Sequence, residues 1–220
     1  LSAAGDEARR RRTQEVADLV GDGDWTSAEP QPHRGQSDDP PAFPPFERTD
    51  SRRVYDSPWC GLRQDFIRLP NGHEQDYHVF EVTNAVAVLP VLEDGSFLMV
   101  WQYRYPSGRS HWEIPAGRIH GGEDPALAAA RELREEAGCE AREMVRLPGF
   151  FPTNGISAHY AHAFLALGCR QVGDLQLDAA ERLVLRRFER AEVERRLYAG
   201  VFADGFTALT LFYALAHLDR

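Results

Sequence analysis

Two stretches with the alternation of half-buried strands, "LRQDFIRL" (62–69) and "DYHVFEV" (76–82), flank "PNGHEQ". The Asn71-Gly72 pair in that linker is a hairpin turn signal, because glycine and asparagine tolerate the positive φ such turns need. "AVAVLPVL" (85–92) is apolar without interruption, the pattern of a strand buried on both faces. "EDGS" then turns the chain into "FLMVWQYR" (97–104), a further strand. "HAFLAL" (162–167) and "RLVLRRF" (182–188) read as strands too, and helices are predicted at about 189–199 and 205–218, separated by Gly200 and capped by Asp204. Strands and helices mix without strict alternation. The predicted class is therefore α/β (α+β), with a mixed sheet between helices and an N-terminal hairpin extension.

The clearest helix signal lies between Asp124 and Gly138. Asp124 suits the N-cap, Pro125 the first helical position and Gly138 the C-terminal stop. Within it, "RELREEAG" (131–138) sets three glutamates into five consecutive positions. At 100° per residue, with Glu132 at zero, Glu136 falls near 40° and Glu135 near −60°, so the carboxylates share a face. Leu133, Ala126, Ala137 and Ala130 fall between about 100° and 160°, which predicts a helix packed through those residues with its acidic cluster outward. Like charges so placed repel unless water screens them or a hard divalent cation gathers them, and the helix alone leaves both readings open. The preceding "EIPAGRIHGGEDP" (113–125) adds a Pro-Ala-Gly corner, where backbone carbonyls can approach a metal, and places Glu123 to pair with Arg131.

Composition narrows the partners. The formal net charge of −9 argues against nucleic acid or an anionic membrane as the main partner, but not against a phosphorylated small molecule. The three cysteines, Cys60, Cys139 and Cys169, are widely spaced and form no Cys-x-x-Cys pair, which fits a reducing, cytoplasmic setting. No apolar run approaches the roughly 18 residues a membrane span needs. Residues 1–50 differ from the rest: an arginine run, Arg9–Arg12, and the stretch "EPQPHRGQSDDPPAFPPFE" carry few aliphatic side chains. That composition predicts a flexible tail, followed by N-terminal strands over 51–84 and the main domain over 85–220.

From Gly117, five residues lead to Glu123 and seven more to Arg131-Glu132-Leu133-Arg134-Glu135-Glu136-Ala137-Gly138-Cys139. This resembles the Nudix box, G-x5-E-x7-R-E-U-x-E-E-x-G-U, with Cys139 in place of the last aliphatic residue. The resemblance implies a Nudix fold and hydrolysis of a nucleoside diphosphate linked to another moiety. It implies Mg²⁺ or Mn²⁺ on Glu132, Glu136 and the Ala116 carbonyl, and Glu135 on a second metal or the attacking water. Gly117, Glu123, Arg131 and Gly138 take structural roles by the same correspondence. An oxygen-only ligand set suits a hard cation.

Flanking segments, among them "WQYRYP", "EIPAG" and "GFFPTNGIS", are similar to the ADP-ribose pyrophosphatase group. That similarity implies substrate contacts for Gln102, Arg104, Arg118, Asn154, Gly155 and Trp59, and a homodimer. In that group two acids often precede the late strand. Here "LDAAE" offers Glu181, with Asp178 nearby, as a base or further ligand beside Glu135. The loop "PTNGISAH" departs from the group's Pro-Ser-Pro-Gly pattern and places His159 where a glutamate often sits. ADP-ribose is thus the expected substrate, with GDP-mannose, another nucleotide sugar or a dinucleotide such as NADH as alternatives. A Nudix module that binds a nucleotide without cleaving it is the rival from another class.

Overall fold

The computed structural model describes residues 43–177 and 182–220. Strands β1 (Glu47–Asp56), β2 (Gly61–Arg68) and β3 (Glu74–Glu81) form an antiparallel three-stranded sheet in that order. The β2–β3 turn forms at the Asn71-Gly72 pair, where Gly72 takes φ 83° and its N–H donates to the Leu69 carbonyl at 2.9 Å. β1 begins at Glu47, earlier in the chain than its hydrophobic pattern suggests, because its pairing with β2 runs back to Glu47 opposite Arg68. All ten residues of β1 are exposed, so its alternation carries no burial signal.

The second sheet holds eight strands: β4 (Ala85–Leu92), β5 (Phe97–Arg104), β6 (Arg109–Glu113), β7 (Ala116–Arg118), β8 (Cys139–Glu140), β9 (Glu143–Arg146), β10 (Ala161–Gln171) and β11 (Leu183–Phe188). Its main path runs β11-β5-β4-β10-β8, with β6, β7 and β9 pairing β5, β4 and β10 respectively. β4 and β10 are parallel and the other pairs antiparallel, so the sheet is mixed.

β4 explains the layering. Every one of its residues is buried, and they alternate between two cores. Val86, Val88 and Leu92 pack with Ala128, Ala129, Leu133 and Ala137 of helix α1 (Pro125–Ala137). Ala87, Leu89 and Val91 pack with Val193 of α2 (Arg190–Tyr198) and Leu211, Ala214 and Leu215 of α3 (Gly205–Leu218). The sheet is sandwiched between helices, as the uninterrupted apolar run requires.

The expected packing of α1 is corrected in one respect. Leu133 and Ala137 are buried, but Ala126 and Ala130 face solvent, and Ala128 and Ala129 carry the contact instead. The buried arc is turned toward the acidic residues, so Glu132 and Glu136 point inward, at 7% and 3% exposure. Strand β7 and its glycine lie against that arc and supply polar partners for the carboxylates, which a helical projection does not see.

Candidate active site

α1 is anchored at both ends. Asp124 Oδ1 accepts the N–H groups of Ala126 (2.8 Å) and Leu127 (3.3 Å), and Pro125 occupies the first turn, where no intrahelical donor is needed. At the other end Gly138 takes φ 62°, and a Cβ there would lie 2.4 Å from the Gly173 carbonyl oxygen. Its own carbonyl accepts Val172 N–H at 2.8 Å, tying the segment after β10 to the helix end.

On the inward face, Ala116 N–H donates to Glu136 Oε2 at 2.9 Å. Gly117, paired with Val86 in the β4–β7 register, lets Glu132 lie directly on its α-carbon: a Cβ would stand 2.0 Å from Glu132 Oε1. The two carboxylates, one helical turn apart, are thus seated on the Ala116-Gly117 backbone.

Arg131 closes the loop between β7 and α1. Its Nε and Nη2 grip Glu123 Oε1 and Oε2, each at 3.0 Å, and Nη2 also donates to the Arg118 carbonyl at 2.8 Å. Nη1 bridges Glu132 Oε1 (2.7 Å) and Glu135 Oε2 (2.9 Å). These contacts, the Glu123 hydrogen bonds foremost, hold Arg131 far above its usual range despite burial. Glu123 is correspondingly pushed down to about 2, by Arg131 first and by the His120 N–H as well. The Arg131 guanidinium therefore contacts three carboxylates, Glu123, Glu132 and Glu135.

Across the sheet, Gln102 and Arg104 follow Leu98 at two-residue steps and so lie on the α1 face. The β5–β6 register sets Glu113 opposite Val100 on that face. Glu113 is 3% exposed, and Arg104 holds it through Nε (3.2 and 3.1 Å to the two oxygens) and Nη2 (2.7 Å). Burial alone would depress Arg104, but the Glu113 hydrogen bonds and the fields of Glu113, Glu136 and Asp204 raise it above its usual value. Gln102 is buried, and its Oε1 has no hydrogen-bond partner among the described residues.

The remaining candidates lie on the loops around this segment. The Arg118 guanidinium lies 5.1 Å from the Trp59 ring, which joins the N-terminal sheet to the Nudix-like segment by a cation–π contact. Gly155 sits on an exposed loop, its carbonyl accepting Tyr77 O–H at 2.6 Å, and Asn154 beside it faces solvent. His159 follows on the same loop, its ring 5.8 Å from Phe206, and burial and the Arg118 charge both lower it. His162 lies deeper: Nδ1 is 2.9 Å from Arg146 Nη2, and burial pushes the imidazole down to about 4. Asp178 and Glu181 lie outside the described residues. The structure thus brings together Ala116, Gly117, Arg118, Glu123, Arg131, Glu132, Glu135 and Glu136, sets Gln102 and Arg104 on the same sheet face, and leaves Asn154 and Gly155 on a peripheral loop. Glu113 was missed as a site residue, because its pairing with Arg104 depends on the β5–β6 register.

Among the described residues no three His, Cys, Asp or Glu side chains converge tightly enough to cage a metal unaided. Two buried carboxylates on a glycine corner, with a backbone carbonyl beside them and oxygen donors only, nonetheless fit a hard divalent cation. Mg²⁺ in particular binds through one or two carboxylates and completes its shell with water and substrate phosphates. A cleft of about 550 Å³ lies elsewhere, at the C-terminal end of α1, lined by Cys139, Cys169, Arg170 and Arg187 and by none of the site carboxylates.

Residues 82–207 match the NUDIX domain, and residues 46–80 match the nucleoside diphosphate sugar hydrolase N-terminal domain. The chain belongs to the Nudix family and is a Nudix pyrophosphohydrolase, similar to ADP-ribose pyrophosphatases. It is 36% identical over 157 residues to the ADP-ribose pyrophosphatase of Mycobacterium tuberculosis, covering 70% of this chain and 76% of that one. Over 114 residues it is 39% identical to the ADP-ribose pyrophosphatase of Bacillus subtilis, covering 52% of this chain and 62% of that one. A solved structure described as an ADP compounds hydrolase superposes with a TM-score of 0.72 at 21% identity, covering 81% of this chain and 97% of that one, and shows the fold alone. No helix among the described residues is long and apolar enough to cross a membrane.

Proposed function

We propose that this protein hydrolyses the pyrophosphate bond of ADP-ribose, yielding AMP and ribose 5-phosphate, with Mg²⁺ or Mn²⁺ held by Glu132, Glu136 and the Ala116 carbonyl. The observation that carries the reading is the buried pair Glu132 and Glu136 seated on Ala116-Gly117, with Arg104 on the adjoining sheet face. Similarity to two ADP-ribose pyrophosphatases points to the substrate.

In the reaction, water oxygen bonds to one phosphorus, the bridging P–O bond breaks, and the bridging oxygen leaves with the other phosphate. A divalent cation would supply charge neutralisation for the pyrophosphate and a more acidic bound water. The chain's own residues do the rest. Arg131 locks the β7–α1 loop and sets the directions of Glu132 and Glu135. Glu135, half-buried at the rim, accepts the proton of the attacking water, with Asp178 and Glu181 as further candidates for that role. Arg104, whose side chain is 43% exposed, offers its remaining N–H groups to the phosphates. Arg118 and Trp59 flank the nucleoside end, and Gln102 Oε1 accepts a hydrogen bond from a sugar hydroxyl.

A second copy of the chain covers the N-terminal sheet. β1 is exposed throughout, and Val54 and Tyr55 on it stand 50% and 56% exposed. Analytical ultracentrifugation reads that association directly. The three free thiols agree with a reducing, cytoplasmic setting.

A substrate panel with phosphate release after phosphomonoesterase treatment tests the substrate. ADP-ribose should lead GDP-mannose, other nucleotide sugars and NADH; a flat response to ADP-ribose sinks the specificity. Glu132→Gln or Glu136→Gln should lower Mg²⁺-dependent turnover by about 100-fold or more, some 3 kcal/mol of transition-state stabilisation. Full activity in either variant refutes the assignment, and tight binding with no turnover at any metal concentration identifies a binding module.

A further inference from the structure

The N-terminal sheet meets the Nudix domain through Trp59, which lies on the Arg118 guanidinium, and through the outer edge of β3, which meets the loop between Phe150 and Ala161. The foot of that loop is firm. Phe150 and Ala161 exchange backbone hydrogen bonds at 3.0 and 2.8 Å, and Ser157 is buried, its hydroxyl accepting His159 N–H at 3.1 Å. Asn84 ties the foot to the site. Its Oδ1 accepts Tyr160 N–H at 3.0 Å, and its carbonyl accepts Ile119 N–H at 2.9 Å, close in sequence to Gly117, which seats Glu132. The tip is different: Thr153, Asn154, Gly155 and Ile156 are all exposed, so no core packing holds them. What holds them is a turn of their own, with Ile156 and Ser157 N–H on the Thr153 carbonyl at 3.0 Å each, and two bonds from β3. Phe80 N–H donates to the Ile156 carbonyl at 2.8 Å, and Tyr77 O–H donates to the Gly155 carbonyl at 2.6 Å.

We infer that Tyr77 is a positioning residue: its hydroxyl holds the 153–157 turn as a wall beside Arg118, and through that bond the N-terminal sheet sets the affinity for the nucleoside diphosphate substrate. This rests on the reading that Arg118 and Trp59 flank the nucleoside end. The physical grounds are those of a preorganised loop. An exposed turn without packed side chains opens readily unless its backbone is bonded. One hydrogen bond between a hydroxyl and a carbonyl shifts the balance between the closed and open turn by about three- to tenfold. A substrate that binds the closed turn loses affinity in proportion to the population lost. Phe80 donates from the main chain, so Tyr77 is the side chain through which the link between sheet and turn can be cut. Arg118 is exposed, and its guanidinium stands on Trp59 at the foot of the same loop, where its charge is available to a phosphate.

The test pairs steady-state kinetics on ADP-ribose, or on whichever nucleotide sugar leads the substrate panel, with amide hydrogen exchange over residues 150–160 of the full chain. Tyr77→Phe deletes one oxygen and keeps the ring, so the sheet is left intact. KM should rise about three- to tenfold with kcat within about twofold of wild type. Exchange of the Ile156 and Ser157 amides should quicken by a similar factor. A wild-type KM in Tyr77→Phe overturns the inference. So does a raised KM with unchanged exchange of those two amides, because the effect then reaches the substrate by another route. A fall in kcat with KM unmoved also overturns it, since the turn would then act on the chemical step and not on affinity. Arg118→Ala separates this inference from the reading beneath it. If Arg118→Ala raises KM and Tyr77→Phe does not, the inference alone fails. If Arg118→Ala leaves KM unchanged, the placement of the nucleoside end fails and takes the inference with it.

Discussion

Gly117→Ala separates the architecture of the site from its function. The φ of Gly117 lies outside the left-handed region, so alanine brings no backbone strain. What it brings is one methyl group, 2.0 Å from Glu132 Oε1, 2.1 Å from Cδ and 2.4 Å from Oε2. An ordinary contact is about 3.4 Å or more, so the carboxylate must retreat by more than an ångström. Glu132 is the far end of a flexible side chain and can do so without moving the helix. Overpacking of this kind costs about 1–3 kcal/mol, and the low end applies where a side chain can swing away. The functional cost is greater, because a displacement of about 1 Å at a reacting centre is worth about 100-fold in rate. Retreat also disturbs the 2.7 Å contact with Arg131 Nη1. Thermal unfolding of Gly117→Ala should therefore stay within a few degrees of wild type while kcat/KM for ADP-ribose falls about 100-fold. Gly121→Ala is the control: a Cβ there meets nothing within 4 Å, and its activity should be that of wild type. A Gly117→Ala enzyme within about threefold of wild type, correctly folded, would refute the seat of Glu132 on this glycine as a functional feature.

Two further outcomes concern pH. Glu123 is depressed from 4.5 to about 2, so the stability of its pair with Arg131 is full above pH 4.5 and is lost as pH falls toward 2. Glu123→Gln should cost about 1–2 kcal/mol at pH 7 in urea unfolding, and the difference from wild type should close over that acid window; a difference independent of pH would contradict the pair. His162 is depressed from 6.5 to about 4, so the unfolded chain takes up its proton first and the folded state weakens as pH falls from 6.5 to 4. His162→Gln should flatten that limb by about 2–3 kcal/mol, and an unchanged slope would show that the buried imidazole does not titrate as placed.

What the linear sequence determined by itself is what depends on near neighbours. The α1 caps at Asp124 and Gly138, the Asn71-Gly72 turn and the doubly buried β4 all follow from residues within a few positions of each other, because capping, turn conformation and strand alternation are short-range effects. The spacing of Gly117, Glu123 and the glutamates was legible for the same reason, since most of it lies along one loop and one helix. The tertiary structure decided which way that helix faces. Ala126 and Ala130 look as suitable for a core as Ala128 and Ala129, and the choice fell to the pairing of β7 with β4, which sets Gly117 against Glu132. Packing likewise turned Glu132 and Glu136 from a wet face into a buried pair. The Arg104–Glu113 clamp, the stacking of Arg118 on Trp59 and the Arg146–His162 contact depend on strand register and on sheet meeting sheet. A one-residue slip in β6 would send Glu113 to the opposite face, and no local pattern around it encodes that register. Local spacing wrote the carboxylates into one helix, and long-range pairing set Glu132 and Glu136 against the Ala116-Gly117 backbone.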